Sequence, residues 1–157
     1  MKKPYLLIIT ATLCLLLTGG MSVAKDSHVE KIEACKQAVK MNPDYADAHA
    51  NLGVAYQASF MYEEAIESYK QAIRINSDYA DAHFNLGHAY DNLGKYKKAI
   101  KSYKQAIRID PNFTAAYFNL GLAHIFLNDR GSALVHYKIL QSLDSELANK
   151  LYHYMYK

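Results

Sequence analysis

Apolar and polar positions follow one another along this chain with the step of a helix. Leu52, Gly53 and Tyr56 fall on one stripe, and Ala65, Tyr69 and Ala72 on a second. Spacings of three and four bring side chains to one face of an α-helix, whereas a strand needs spacings of two. The pattern then returns. Tyr45-Ala46-Asp47-Ala48-His49 comes back as Tyr79-Ala80-Asp81-Ala82-His83, and Tyr69-Lys70-Gln71-Ala72-Ile73-Arg74-Ile75 as Tyr103-Lys104-Gln105-Ala106-Ile107-Arg108-Ile109. Across 45–78 and 79–112 roughly 21 of 34 residues are identical, far beyond accident. A third, more divergent copy over 113–146 keeps Asn119-Leu120-Gly121, Ala123, Ala133 and Tyr137, and Ala38, Asn42 and Pro43 match the end of a copy that lacks its first half.

Each copy therefore predicts two helices. Glycine inside the first one is unfavourable by about 1 kcal/mol against alanine. Yet Gly53, Gly87 and Gly121 recur on the packed stripe, where a missing side chain lets a neighbouring helix come close. Asp44, Asp78 and Asn112 stand where the first helices should begin, with oxygens able to cap free N–H groups. Pro43 and Pro111 follow the preceding helices and stop them from continuing.

These residues resemble the tetratricopeptide repeat family. The match is carried by Leu52-Gly53, Tyr56, Ala65, Tyr69 and Ala72, then by Leu86-Gly87, Tyr90, Ala99, Tyr103, Ala106 and Pro111, then by Leu120-Gly121, Ala133 and Tyr137. It covers about 45–146. The chain departs from the family pattern at His49, His83 and Tyr117, where tryptophan is common, and at Ser77 and Ser145, which replace the closing proline. Phe60 stands where Gly94 serves in the next unit, His124 replaces the core tyrosine, and Leu140 replaces a small residue. The implied architecture is an all-α solenoid of three helix-turn-helix units, 45–78, 79–112 and 113–146. A helix over 27–42, the second half of a repeat, precedes them. A capping helix over 145–156 closes the stack, because the last unit has no next neighbour to cover its apolar face. Ile32, Cys35, Ala38 and Val39 share one face of the first helix, and the last is rich in tyrosine, with Tyr152, Tyr154 and Tyr156.

What lies before the repeats has a different composition. Lys2 and Lys3 precede an uncharged run from Tyr5 to Leu17, Thr18-Gly19-Gly20 break it, and Ser22-Val23-Ala24 supplies small residues. This is the order of a secretory signal, cleaved after Ala24, with an uncleaved membrane anchor as the alternative. A lipoprotein site is disfavoured because Cys14 follows Leu13 within the apolar run. The expected location is thus periplasmic or secreted. Cleavage leaves Cys35 alone, a buried small hydrophobe in this reading, with an intermolecular disulfide as the alternative. It also leaves 16 basic against 15 acidic residues, too near neutrality to steer nucleic acid.

The resemblance implies a concave groove lined by the first helix of each unit and used to hold peptides or protein segments. Asn51, Asn85 and Asn119 recur in its slots, and an amide can both donate to and accept from a peptide backbone. Phe84, His88, Phe118, Leu122 and Phe126 make the groove more apolar toward the C-terminal end, and such surface calls for a partner. The lysine and asparagine pattern by which some family members clamp a C-terminal carboxylate is not evident. Glu63, Glu64 and Glu67 occupy the slots of Lys97, Lys98 and Lys101 one unit later, which predicts acid beside base between stacked helices. No cofactor or catalytic residue is assigned. His49 and His83 repeat one packing slot, and there is no HExxH, CxxC or glycine-rich phosphate loop. The function read from the sequence is non-catalytic adaptor or assembly work on a protein partner. Self-association through the tyrosine-rich last helix is the alternative, and histidine-based metal binding a remote third.

Overall fold

The computed structural model describes residues 27–157. The segment read as a signal or anchor, 1–24, lies outside them. Among the described residues there are eight α-helices and no strands: α1 (27–41), α2 (Ala46–Ala58), α3 (Tyr62–Ile75), α4 (Ala80–Asn92), α5 (Tyr96–Ile109), α6 (Thr114–Phe126), α7 (Arg130–Leu143) and α8 (Ser145–Met155). Each odd helix from α3 to α7 packs back on the helix before it and also carries the next one, the nearest-neighbour order of a solenoid. None of the described helices is long and apolar enough to cross a membrane.

The hairpin turns show why the units close where they do. Phe60, Gly94 and Asn128 sit in equivalent turns with φ of 60°, 66° and 58°. Behind each, the N–H of Met61, Lys95 or Asp129 reaches back to the carbonyl of Tyr56, Tyr90 or His124 at 2.9–3.0 Å. This is the left-handed closure of a helix C-terminus that glycine adopts most easily. Gly94 takes it without strain, while Phe60 holds the same conformation with its ring exposed.

Between units the polar work is done two residues earlier than the sequence suggests. Helices α2, α4 and α6 follow Tyr45, Tyr79 and Phe113, with no side-chain cap on any of them. Asp44, Asp78 and Asn112 are therefore not caps. Instead Asn76 Oδ1 accepts from the N–H of Asp78, and Asp110 Oδ1 from that of Asn112, which tightens the connection as a local turn. Asp144, one repeat further on, caps a helix directly by accepting from the N–H groups of Glu146 and Leu147. The connection from α7 to α8 is consequently the single residue Asp144, where the earlier units use four, and α8 leaves the repeat's path to lie across both α7 and α6.

The core follows from close approach. A Cβ on Gly53 would meet the ring of Tyr69 at 2.5 Å, and one on Gly87 the ring of Tyr103 at 2.6 Å. Both tyrosines are completely buried. In the third unit the same slot belongs to α8, since a Cβ on Gly121 would meet Leu151 Cδ2 at 2.5 Å. Leu151 and Met155 join Ala133, Leu140 and Ala148 in one cluster, so the last helix caps the stack as expected. At the other end Ile32 of α1 packs with Leu52 and Ala55, with half-buried Cys35 and Val39 against them. The expected ladder of acid beside base does not form. The ion pair between the first two units joins Glu63 to Lys95 at 4.0 Å, and Lys98 lies over the ring of Tyr90 instead.

The third unit contains a histidine pair. His124 stands in the slot of Tyr56 and Tyr90, and its Nδ1 lies 3.1 Å from Asp129 Oδ2. It stacks on His136 of α7 at 5.5 Å, and the ring of Tyr117 lies 6.2 Å from that of His136. Burial, with His124 and Lys104 nearby, pushes the His136 pKa down to about 4. A folded pKa below the unfolded one means stability present above about pH 6.5 and lost as pH falls toward 4. His136 is only partly buried, so solvent screening reduces the effect to about 1–2 kcal/mol. Urea unfolding at pH 7 and pH 5 should show this loss in the wild type and less of it in His136→Phe, which keeps the stacking but cannot titrate.

Candidate functional site: the inner wall of the first helices

Helices α2, α4 and α6 lie side by side and present one face away from α3, α5 and α7. That wall has a simple charge pattern. None of the three helices contains a lysine or arginine, and their acids are Asp47, Asp81 and Asp91. The basic residues of the units sit on the second helices and the turns. The inner wall is acidic because the sequence segregates its charges by helix.

Beneath the wall, each buried tyrosine of a second helix needs an acceptor for its hydroxyl. In the first unit Tyr69 donates to Gln57 Oε1 at 3.2 Å. The Gln57 amide in turn donates to His88 Nδ1 at 2.8 Å, so His88 carries its proton on Nε2. In the second unit Tyr103 donates to Asp91 Oδ2 at 2.6 Å, and the Asn119 amide lies beside the same hydroxyl. In the third unit the equivalent residue is Ile125, which accepts nothing. Tyr137 accordingly turns away, stays half-buried, and packs on Tyr152 at 5.5 Å with its hydroxyl taking a bond from Gln141. This explains why Leu151, rather than Tyr137, fills the space over Gly121.

The two aspartate sites differ. Asp47 lies between the hydroxyls of Tyr79 and Tyr45, which hold its carboxyl below the usual range. Asp91 has one partner, and its Oδ1 is covered with none. Burial pushes the Asp91 pKa up to about 6 despite the bond from Tyr103. Burial also lowers the pKa of His88, which keeps that ring neutral at pH 7.

The residues singled out from sequence are not equally available. Asn51 is exposed, and Asn85 and Asn119 are half-buried, one amide per unit along the wall. Phe84 packs into the core against Phe113 at 4.9 Å and Tyr103 at 5.7 Å. Phe118 and Leu122 are partly covered by the α8 cluster, and Phe118 meets Tyr154 edge-on at 6.4 Å. Phe126 is 62% exposed and stacks flat on Tyr96 at 4.9 Å. The helix at the C-terminus therefore covers Phe118 and Leu122, and leaves Phe126 open. A hollow of about 240 Å³ between α4 and α6 brings together His88, Asp91, Asn119, Leu122 and Phe126 with Tyr96. Asn92 lines it too, and Asp91, Asn92 and Tyr96 are the members outside the set of site residues chosen from the sequence. The offset of twelve that pairs Gln57 with Tyr69 and Asp91 with Tyr103 was the available signal.

The histidines in the tryptophan slots do local work. His49 Nε2 donates to the carbonyl of Pro43 and His83 Nε2 to that of Ser77, each tying a helix to the connection before it. Among the described residues no three histidine, cysteine or acidic side chains converge closely enough to hold a metal ion.

Stacked helix hairpins with a continuous inner wall define a class of protein–protein interaction module. Comparison gives the class its family. Models described as tetratricopeptide repeat match residues 80–113 and 34–67, and one described as TPR repeat matches 61–94. A crystal structure of MamA is 32% identical, with 86% of this chain and 79% of that one aligned and a TM-score of 0.73. MamA 41-end from Desulfovibrio magneticus RS-1 has 20% identity over 81% of this chain and 72% of that one, with a TM-score of 0.71. The Arabidopsis OM64 TPR domain has 20% identity over 70% and 93%, with a TM-score of 0.67, and at that identity both show the shared fold alone. No curated protein matches. The chain belongs to the tetratricopeptide repeat family.

Proposed function

We propose that this chain is a non-catalytic adaptor or assembly factor of the cell envelope that holds an extended segment of a partner protein along its inner wall. The observation that carries the reading is the wall itself. It offers one asparagine amide per unit at Asn51, Asn85 and Asn119, and exposed apolar surface at Val54 and Phe126. Amides at a fixed repeat suit a backbone, and apolar pockets between them suit alternate side chains. The envelope location rests on the N-terminal order of charge, apolar run and small residues.

The structure changes which residues test the reading. Phe84 and Phe118 contribute to the core, so serine at either would disturb the fold as well as the wall. A variant combining Asn51→Ala, Asn85→Ala and Phe126→Ser alters surface that the core does not need. In crosslinked pull-down from the native compartment it should lose partner capture about tenfold, the loss of one or two well-placed contacts. Its urea midpoint should stay near that of the wild type. Undiminished capture by this variant would reject the wall as the binding surface.

Self-association has one specific observation behind it. Tyr152, Tyr154 and Tyr156 are 48–60% exposed, and Tyr152 packs on Tyr156 at 4.6 Å. Removing α8 to test this would open the core around Leu151. Light scattering on Tyr152→Ser with Tyr156→Ser is the cleaner measurement. A mass that rises with concentration in the wild type alone would favour this second reading.

A further inference from the structure

We propose that the hollow between α4 and α6 is a specificity pocket for a basic side chain, so that the partner segment held on the inner wall places an arginine or lysine against Asp91. The inference rests on the wall being the binding surface, and adds the chemistry of what it binds.

Three observations converge on Asp91. The first is a comparison internal to the chain. Gln57 occupies the same place one unit earlier and satisfies the same tyrosine hydroxyl with a neutral amide. The fold therefore has a working solution that needs no charge. A carboxylate at this place is a liability, because a buried charge short of partners is unfavourable. The second is that the liability is left open. Asp47 is engaged by two hydroxyls, whereas Asp91 Oδ1 has no hydrogen-bond partner. Oδ1 itself is closed to solvent, so a cation seated in the hollow would offset the charge of the carboxylate without bonding to that oxygen. Third, the surroundings suit a cation and exclude a resident one. The wall helices contribute no lysine or arginine that could reach Asp91, and His88 engages Gln57 through Nδ1 as a neutral ring.

The rest of the hollow fits the stem of such a side chain. The exposed ring of Phe126, backed by Tyr96 at 4.9 Å, offers a face for a guanidinium or for the methylenes of lysine. Asn119 also lines the hollow, with its amide beside the Tyr103 hydroxyl, one step along the line that would hold the backbone. A planar, weakly hydrated guanidinium uses both a carboxylate and a ring face, so arginine should be preferred to lysine.

Fluorescein-labelled octapeptides of alanine and leucine with one central arginine, lysine, glutamine or glutamate test the pocket by anisotropy. The wild type should bind the arginine peptide about tenfold tighter than the glutamine one, the size of one charge-assisted contact. Asp91→Asn should bring the arginine peptide down to the glutamine level and leave the glutamine peptide unchanged. The same variant should unfold at a higher urea concentration at pH 7, because an amide oxygen can still accept from Tyr103 while the half-buried charge is gone. A preference that survives in Asp91→Asn, or a lower urea midpoint for that variant, overturns the assignment. Equal binding of all four peptides, weakened alike by Phe126→Ser, overturns the pocket and leaves the wall standing. If none of the four binds, both fall.

Discussion

Leu151→Ala is expected to lower the stability of the chain by about 2–5 kcal/mol, the range for removing a fully buried leucine side chain. The upper part of that range is the better expectation, for a reason particular to this site. Leu151 lies over Gly121, which has no side chain that could move into the space left behind. Ala133 and Ala148 of the same cluster are already minimal, and Leu140 and Met155 are themselves completely buried. A site that cannot collapse keeps its cavity and the full penalty. Solenoid units are stabilised by their neighbours, so the loss should concentrate at the C-terminal end. Urea unfolding followed by circular dichroism should show the lower midpoint, and hydrogen exchange should speed up in α6, α7 and α8 before α2 to α5. His153→Ala, on the exposed side of the same helix, should stay within about 0.5 kcal/mol of the wild type. A Leu151→Ala penalty below about 1 kcal/mol would mean that α8 is not part of the core.

That helix also marks the limit of what the repeat pattern could reveal. The period of 34 residues placed the hairpins and the inner wall, because each unit repeats the same contacts and the apolar stripes record them. The ends of the stack have no such copy to compare with. The start of α8 at Ser145 was legible, but the path it takes across α7 and α6 after the single-residue connection at Asp144 was not, since no apolar stripe records it. As a result α8 covers Phe118 and leaves Phe126 open. The caps failed for a related reason. Asp44, Asp78 and Asn112 are good capping residues by type, but Asn76 and Asp110 turn the chain first and leave Tyr79 and Phe113 at the helix starts. Charge pairing failed because long lysines at the surface choose among rings, water and acids at nearly equal free energy. Lys98 chose Tyr90. The acidic wall, by contrast, was legible in principle, since it needs only the observation that three helices lack lysine and arginine.

The tyrosine beneath the wall carries the second large effect. Tyr103→Ala is expected to lower stability by about 3–5 kcal/mol, as for other buried aromatic side chains. Its ring is completely buried against Gly87, and Ala99 and Leu120 pack around it. The loss should also reach the wall, because Tyr103 is the sole hydrogen-bond donor to Asp91 among the described residues. Phenylalanine at the two equivalent positions separates ring from hydroxyl. Tyr103→Phe keeps the packing on Gly87 but leaves Asp91 without any partner, and bonds to a charged group are worth about 1.5–3 kcal/mol. Tyr69→Phe removes a bond to the neutral Gln57, worth about 0.5–1.5 kcal/mol. Urea unfolding of the pair at pH 7 should therefore find Tyr103→Phe the more damaging, although both lose the same oxygen from the same slot. At pH 4 the carboxyl of Asp91 is protonated in the wild type, since its pKa lies near 6, and the gap between the two variants should narrow. Equal losses at both pH values would show that Asp91 is neutral at pH 7, and that the inner wall holds no charge there for a basic partner to meet.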